Sequence, residues 1–426
     1  MRIKLAYGKT GLPIELDGSL NVTVVEPTFV PALPDPEAAV RDALHAPIGS
    51  LPLRDLVRPG MRVGVVFSDI TRPAPNPLIL TAVLEVLDAI PGVETTLFNA
   101  LGTHRPNTEA ELRGMVGEAI FERRRIVQND TFDPATQVRV GVTSKGHETW
   151  LNAELMACDL KILTGFIEPH LFAGFSGGGK AIMPGMAGQR TVLGNHDARM
   201  VGHPKAIWGV TRGNPIWEEV GEVAGQAGRL FLLNVTLNRD KAVTGVFAGD
   251  LDQAHAAGCA FVKRSAMVAV PRPFDIVVTT NSGYPLDINL YQSVKGMRAA
   301  DQVVRQGGAI IIAARCLDGI PEHGLYGKIL RESRNPRELL DKICVPGFLA
   351  QDQWQAQIQA LIQQKAAIYV RSDGLTDDEI RAALLLPCRL IEETVAELLS
   401  KYGRGASICV MPEGPQTIPF LKQPST

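Results

Sequence analysis

The sequence predicts an α/β protein with layered, largely parallel sheets, divided into two domains. Short apolar runs recur along the chain, and segments with the apolar spacing of helices lie between them. This alternation is typical of parallel strands connected by helices. A chain of 426 residues, 45% of them hydrophobic, is also too long for one hydrophobic core and suits two.

The first series of predicted strands lies in the N-terminal half of the chain. Its members are MRVGVVF (61–67), VETTLFNA (93–100), LKILTGF (160–166) and LFLLNVTL (230–237). The segment PLILTAVLEVLDAI, between the first two, has the apolar spacing of a helix. Thr108 and Glu111 then have the spacing of a capping box, so a second helix is predicted to begin there.

A second series of strands follows Pro271 and Pro273. It consists of FDIVVTTN (274–281), GGAIIIAA (307–314), AAIYVRS (366–372) and ASICVMPEG (406–414). Helical segments such as PCRLIEETVAELLSKYG separate these runs, and Gly403 is a helix stop. We therefore predict an N-terminal α/β domain over residues 1–265 and a C-terminal α/β domain over residues 270–426.

The composition predicts a cytoplasmic protein that acts on small molecules and binds neither nucleic acid nor membranes. The 43 basic and 45 acidic residues nearly cancel, which argues against a positive field that would attract phosphates. No apolar run reaches the roughly 20 residues that cross a bilayer, and the N-terminus lacks the apolar region of a signal peptide. The six cysteines form no C-x-x-C pair, so neither a disulfide framework nor a cysteine zinc site is indicated.

The segment TGFIEPHLFAGFSGGGKAIMPGMAG (164–188) is the most indicative of function. Its glycines let backbone amides approach a ligand, and Lys180 adds a cation or a nucleophilic amine beside them. The spacing from Gly174 to Lys180 is that of a phosphate-binding P-loop. However, residue 181 is alanine where a P-loop has serine or threonine, and LKILTGF ends about eight residues too early to lead into the loop.

Two other predicted strands lead into polar loops, SDITRP (68–73) and LGTHRP (101–106). The carboxyl ends of strands in open α/β sheets form the ligand crevice, so both loops are expected to face one site. Each residue also has an ordinary structural explanation. Asp69 fits a turn, Arg72 a surface ion pair, and His104 a loop histidine bonded to the backbone.

Three of the eight histidines, His104, His170 and His196, lie in glycine-rich surroundings after predicted strands or near the lysine loop. Three histidines are enough for a zinc site, but no H-E-x-x-H or similar close spacing is present. The other five are interpreted as surface or structural residues: His45, His147, His203, His255 and His323.

Five motifs, taken in order, resemble those of the nickel-dependent lactate racemase family of 2-hydroxyacid racemases and epimerases. They are SDITRPAP (68–75), LGTHRPNT (101–108), GFIEPHLFAGFSGGGKAIMPGMAG (165–188), LGNH (193–196) and LYQSVKGM (290–297). Each motif is weak alone, but five in the same order form a specific signal. The resemblance covers nearly the whole chain.

The resemblance implies an active site between two α/β domains and a nickel-pincer nucleotide, in which a pyridinium-derived ring holds nickel through sulfur, carbon and sulfur. Cofactor-synthesis proteins would have to supply this group. It implies that Lys180 carries the cofactor through a thioamide and lies at the metal, and that His196 completes the nickel coordination. A phosphate-binding lysine is the alternative for Lys180. The residues expected around the cofactor are Lys180, Gly177, Gly178, Gly179 and Asp69.

The reaction implied by the resemblance is racemisation or epimerisation of a 2-hydroxy acid. One histidine takes the hydroxyl proton while hydride passes from Cα to the cofactor ring, and hydride then returns to the opposite face of the keto acid. The two enantiomers therefore need a base on each side of the substrate, and the motifs assign these roles to His104 and His170.

The carboxylate of a 2-hydroxy acid needs its own partners. Arg72 offers a bidentate fork and Lys295 a point charge, while Gln292 shares a helix face with Lys295. Tyr291 and Trp354 are placed near the substrate by the resemblance, although core packing explains Trp354 equally well. A substrate with a second carboxylate would need a further cation, for which Arg105 is a candidate.

Other classes of protein remain as alternatives. A nicotinamide-dependent dehydrogenase should show G-x-G-x-x-G directly after a strand, and this arrangement is not found. Another metal-dependent hydroxyacid enzyme, a P-loop-like nucleotide-binding protein and a non-catalytic binder of sugar acids are the others. A binder has no need for Lys180 together with three histidines.

Overall fold

The computed structural model describes residues 1–322 and 324–422, so His323 lies outside the described residues. The chain forms two compact units. The N-terminal unit consists of Phe29–His196 and Lys205–Arg264, and the C-terminal unit of Met1–Thr28, Asp197–Pro204 and the chain from Ser265 onward. In the described part of the chain, no helix has both the length and the hydropathy needed to span a bilayer.

The strands of the described residues are β1 (Arg2–Leu5), β2 (Leu12–Glu15), β3 (Asn21–Val24), β4 (Arg62–Ser68), β5 (Glu94–Ala100), β6 (Arg125–Gln128), β7 (Gln137–Val142), β8 (Glu148–Asn152), β9 (Leu160–Phe166), β10 (Pro169–His170), β11 (Gly174–Phe175), β12 (Leu230–Leu237), β13 (Val243–Gly249), β14 (Met267–Val270), β15 (Phe274–Thr280), β16 (Val304–Ala313), β17 (Ala366–Arg371), β18 (Leu386–Pro387), β19 (Ser407–Met411) and β20 (Ile418–Leu421).

The α-helices of the same residues are α1 (Pro36–His45), α2 (Leu53–Leu56), α3 (Asn76–Asp88), α4 (Glu109–Val116), α5 (Glu118–Arg123), α6 (Ala153–Met156), α7 (Gln189–Asn195), α8 (Ala198–Val201), α9 (Pro215–Gly225), α10 (Leu251–Ala266), α11 (Leu290–Asp301), α12 (Tyr326–Arg331), α13 (Pro336–Ile343), α14 (Gln353–Gln363), α15 (Asp377–Ala382) and α16 (Ile391–Tyr402). Short 3₁₀ turns occupy Pro134–Thr136, Gly178–Ala181 and Gly414–Gln416.

The helix start and the helix stop that were predicted from the sequence are both confirmed. Thr108 and Glu111 form a complete capping box at the start of α4, with each side chain bonded to the other residue's backbone N–H. Gly403, with a φ of 95°, closes α16. The predicted helix after the first strand is α3, which begins at Asn76.

The N-terminal unit is built on a six-stranded sheet in the order β13-β12-β9-β4-β5-β6. Its strands are parallel except β13, which runs antiparallel to β12. All seven residues of β9 are buried, as expected for a central parallel strand covered on both faces. The predicted α/β class with largely parallel sheets is therefore confirmed.

This strand order determines where the candidate residues can meet. Strands β9, β4 and β5 are neighbours and all run in the same direction. The segments that follow them, which carry the lysine loop, SDITRP and LGTHRP, therefore leave the sheet at the same edge.

The C-terminal unit contains a second six-stranded sheet in the order β18-β17-β16-β15-β19-β3, and every pair in it is parallel. The presence of β3 differs from the predicted division, which assigned residues 1–265 to the N-terminal domain. Residues 21–24 pair with β19, and Leu5 and Leu16 of the preceding segment lie in the same core as Ile276. Strand pairing and burial, rather than chain order, thus place the first 28 residues in this unit.

A second short segment also departs from the predicted division. Residues 197–204 leave the N-terminal unit directly after His196 and contain α8. This helix packs on α14, where the Gln357 amide donates a hydrogen bond to the Ala198 carbonyl at 2.8 Å. The segment is too short for sequence periodicity to reveal which core it joins.

Candidate functional site

His104 is held by a buried carboxylate. Its Nδ1 lies 2.7 Å from Oδ2 of Asp69, which follows β4, while Thr71 donates to the other carboxylate oxygen at 2.8 Å. Burial raises the pKa of Asp69, but the His104 ring, the charge of Arg72 and the Thr71 hydroxyl outweigh it and lower this pKa below its ordinary value. An ionised carboxylate only accepts hydrogen bonds, so His104 Nδ1–H donates, and in the neutral ring Nε2 carries the lone pair.

The two arginines of these loops have different surroundings. The backbone N–H of Arg72 donates to the Asp69 carbonyl at 3.1 Å, which closes the turn after β4. The guanidinium of Arg105 instead forms a bidentate pair with Glu111 at 2.8 and 2.7 Å. Arg105 is therefore engaged by its own neighbouring helix, whereas Arg72 stays beside the Asp69 and His104 pair.

The glycines before Lys180 pack tightly against protein atoms. The Gly178 amide donates to Oδ1 of Asn234 on β12 at 2.8 Å, and a Cβ at Gly178 would lie 2.8 Å from the His255 ring. With a φ of 57°, Gly178 also adopts a left-handed conformation that favours glycine. At this position the structure corrects the expectation that the glycine amide is open to a ligand, because a side chain of the protein accepts its hydrogen bond.

Lys180, His170 and His196 are brought together around the ring of Phe172. The Phe172 ring centroid lies 4.7 Å from that of His170 and 5.0 Å from that of His196, both edge to face. Lys180 Nζ lies 5.9 Å from the same centroid. Three residues separated in sequence by up to 26 positions thus form one cluster.

His196 is buried at the end of α7, and its backbone N–H donates to the Val192 carbonyl at 2.9 Å. Burial, reinforced by the charge of Lys180, lowers the pKa of His196 to about 3. The imidazole is therefore neutral at physiological pH, which is the form that can donate a lone pair to a metal ion. Among the described residues, no three His, Cys, Asp or Glu side chains are grouped so that they could hold a metal.

His170 is oriented by the tight hairpin of β10 and β11, in which it stands opposite Gly174. Its Nδ1 lies 3.2 Å from the backbone N of Ala173, whose N–H donates to it. In this arrangement the neutral His170 ring carries its proton on Nε2. His104 and His170 are therefore held with opposite tautomers.

The loop that carries His104 is bonded directly to the segment that follows Lys180. The Gly102 amide, two residues before His104, donates to the Gly185 carbonyl at 3.1 Å. Gly102 has a φ of 56°, which lets the loop turn beneath the segment that follows Lys180. The N-terminal unit thus brings Asp69, Arg72, His104, His170, Lys180 and His196 to one edge of its sheet.

The remaining predicted residues lie in the C-terminal unit. Tyr291, Gln292 and Lys295 are in the first half of α11, which begins with Asn289 as its N-cap. All three are half-buried. Further along the helix, a Cβ at Gly296 would lie 2.1 Å from the Thr280 carbonyl oxygen, so this glycine lets α11 pack directly on β15.

Trp354 is buried on α14 and interacts with Tyr291. Its Nε1–H donates to the Tyr291 hydroxyl at 3.1 Å, and Gln355 donates to the Tyr291 carbonyl at 2.8 Å. Trp354 therefore positions Tyr291, an arrangement that agrees with the core-packing interpretation of this tryptophan.

Comparison with known proteins gives the family. Residues 7–209 match the family model of the lactate racemase N-terminal domain, and residues 270–418 match that of the lactate racemase C-terminal domain. The chain belongs to the lactate racemase family. It is therefore an isomerase of the racemase class. The resemblance seen in the five sequence motifs is confirmed over nearly the whole chain.

Two lactate racemases show the extent of this relationship. The enzyme of Thermoanaerobacterium thermosaccharolyticum is 34% identical over 431 residues, which is 98% of each chain. That of Lactiplantibacillus plantarum is 36% identical over 382 residues, which is 89% of each chain. The lactate racemase apoprotein structure from T. thermosaccharolyticum superposes with a TM-score of 0.92 at 32% identity, covering 99% of this chain and all of the other. A Thermotoga maritima protein, with a TM-score of 0.69 at 21% identity, shares the fold.

Several residues at the candidate site were not found from the sequence. Phe172 contacts three candidate residues, and the only available signal was its place between His170 and Lys180 in the same motif. Asn234 and His255 come from distant elements. His255, predicted to be surface or structural, is buried on α10 and lies 2.8 Å through Nε2 from the Ser176 carbonyl oxygen, directly before the glycines.

Proposed function

We propose that this chain interconverts the enantiomers of lactate, or of a closely similar 2-hydroxy acid, with a nickel-pincer nucleotide attached to Lys180. The observation that carries the proposal is the cluster of Lys180, His170 and His196 around Phe172, joined through Gly102 to the His104 loop. The lactate racemases named above support the substrate class.

The residues present fit such a cofactor. Lys180 lies in the short 3₁₀ turn Gly178–Ala181, and His196 supplies one neutral imidazole in the cluster around Phe172. A single protein nitrogen suits a metal whose other donors belong to the cofactor itself. When bound, the group supplies an acceptor and donor for the Cα hydrogen as hydride. Lys180 and His196 would hold it, and cofactor-synthesis proteins would have to supply it.

His104 and His170 handle the hydroxyl proton. With Nδ1–H donated to Asp69, His104 presents Nε2 as a base, and the buried carboxylate stabilises the imidazolium that forms on proton uptake. His170 starts with its proton on Nε2 and donates a hydrogen bond from there. To serve as the base for the other enantiomer, it must move its proton to Nδ1 and release the Ala173 amide.

Arg72 is proposed to hold the substrate carboxylate next to His104. Its guanidinium matches a carboxylate bidentately, and its backbone is anchored to the Asp69 carbonyl. Lys295, Gln292 and Tyr291 share the first half of α11 and are proposed to complete the substrate contacts.

Asp69→Asn is expected to lower kcat by about 10²-fold or more, because a neutral amide stabilises neither the Nδ1–H tautomer of His104 nor its imidazolium. The measurement is kcat for both lactate enantiomers with cofactor-loaded protein. Thr71→Val is the matched control, since it removes one hydrogen bond to the same carboxylate and leaves the His104 contact intact. An Asp69→Asn enzyme no slower than Thr71→Val would show that the carboxylate does not orient the base.

Racemisation in deuterated water tests the proposed function. Loaded protein is given protiated D-lactate in D₂O, and the Cα position of the L-lactate formed is followed by NMR. Hydride transfer and return predict that the Cα hydrogen stays protium through early turnover. Deuterium at Cα from the first turnovers would indicate exchange with solvent by an ordinary acid and base, and absence of any L-lactate from loaded protein would remove lactate as the substrate.

A further inference from the structure

Glu219, on α9, is a buried carboxylate that the reaction described above does not use. It is 2% exposed, and both of its carboxylate oxygens are bonded to residues of other elements. Oε1 accepts from the Thr143 hydroxyl at 2.5 Å and lies 2.8 Å from Nδ1 of His147, while Oε2 accepts from the Asn195 amide at 2.8 Å. A buried carboxylate left without such partners strongly destabilises a protein, so these donors fix its position.

Asn195 links this carboxylate to His196, the proposed nickel ligand. It is the last residue of α7 and immediately precedes His196, which caps the same helix. The Asn195 amide also lies 3.4 Å from the Ile216 carbonyl at the start of α9. The residue that immediately precedes His196 is therefore tied to Glu219 on α9.

The ring of His147, which is bonded to Glu219, packs against α7 at a second position. A Cβ at Gly194 would lie 2.8 Å from Cγ of His147, so the imidazole ring rests directly on the Gly194 backbone. Earlier in α7, the Thr191 hydroxyl oxygen accepts a hydrogen bond from the backbone N–H of Trp150 at 2.7 Å. The seven-residue helix is thus fixed along its length, and its last turn is held by Glu219 and His147.

We propose that Glu219 is a positioning residue for His196, acting through Asn195 and, with His147, holding the end of α7 so that the imidazole meets the nickel of the cofactor. The inference rests on the proposed function. It explains why a buried charge lies here, where an apolar side chain would fill the same space without needing three hydrogen-bond donors.

The test compares nickel release from Glu219→Ala and Glu222→Ala, both loaded with cofactor. Glu222 is the matched control, because it lies one turn further along α9 and accepts from the Ser144 N–H and hydroxyl in the β7–β8 turn that also holds Thr143 and His147. Within the described part of the chain, it accepts no hydrogen bond from α7. Nickel is followed by elemental analysis after addition of a chelator, well below the thermal midpoint of each variant. Intact mass reports the Lys180 adduct independently.

Glu219→Ala is expected to lose nickel about tenfold faster than wild type while keeping the adduct mass, and Glu222→Ala to stay within about twofold of wild type. Equal release from both variants, fast or slow, would overturn the proposal, because a merely structural role lowers the thermal midpoint without a specific effect on nickel. If Glu219→Ala does not fold, Asn195→Ala decides, since it leaves Glu219 bonded to Thr143 and His147. Nickel release at the wild-type rate from that variant would overturn the proposal as well.

The outcome for wild type separates this inference from the function on which it rests. A wild-type chain that gains no mass on Lys180 under loading conditions would remove the proposed function and the positioning role together. A loaded wild type that retains nickel no better than Glu219→Ala would remove the positioning role alone.

Discussion

Replacing either His104 or His170 with glutamine is expected to lower kcat/KM by about 10³-fold for both lactate enantiomers. Each turnover removes a hydroxyl proton on one side of the substrate and returns one on the other, so loss of either imidazole blocks the same overall path. Enantiomers have equal free energies in an achiral solvent. The equilibrium constant is therefore one, and thermodynamics requires the two directions to slow by the same factor.

The measurement is the initial rate of D-lactate and L-lactate consumption by loaded protein, at substrate concentrations below KM. His45→Gln is the control, because His45 is exposed at the end of α1, far along the chain from either loop. A variant of His104 or His170 that keeps most of the wild-type kcat/KM would show that the corresponding side chain is not an acid or base in the reaction.

Replacing Lys180 with alanine is expected to reduce racemisation to the background rate, because no other side chain in the Phe172 cluster provides an amine for covalent attachment. Lys180→Arg should be equally inactive, since arginine keeps the charge but forms no thioamide. Racemisation by both variants is compared with that of Lys145→Ala, whose lysine is exposed at the tip of the β7–β8 hairpin. Activity in Lys180→Arg would mean that residue 180 serves only as a cation.

Much of the fold was predictable because parallel strands are buried on both faces. The runs predicted at 160–166 and 230–237 coincide with β9 and β12, since continuous apolar stretches of this length have few other uses. The membership of residues 21–24 in the distant C-terminal sheet was not predictable. A short strand of mostly exposed residues carries no periodic signal, and its partner β19 lies almost 400 residues away.

The candidate site also contains residues that could be predicted from the sequence and residues that could not. Residues inside the motifs, such as His104 and Lys180, could be singled out because glycine-rich loops after strands are costly unless they serve a purpose. The groups that orient them could not. Glu219 lies on α9 and His147 in the β7–β8 turn, so their contacts around α7 join segments that are distant in sequence, and each looks like an ordinary surface residue in sequence. Asn234 likewise acts on Gly178 across 56 positions of the chain.

The glycines before Lys180 have a packing role that the sequence did not reveal. They were expected to expose backbone amides, yet Gly177 and Gly178 approach Asn234 and His255 too closely for any side chain. Their small size therefore seats the lysine turn against β12 and α10. This packing holds the backbone of Lys180 in place regardless of what is bound to its amine.

The most direct test of the central claim is intact-mass and peptide-mapping mass spectrometry with nickel analysis on protein produced together with the cofactor-synthesis proteins. Wild type should gain the mass of one nucleotide-derived group, located on the peptide that contains Lys180, with about one nickel per chain, and Lys180→Ala should gain neither. An unmodified wild-type chain without nickel, under conditions that load an established lactate racemase, would contradict the account.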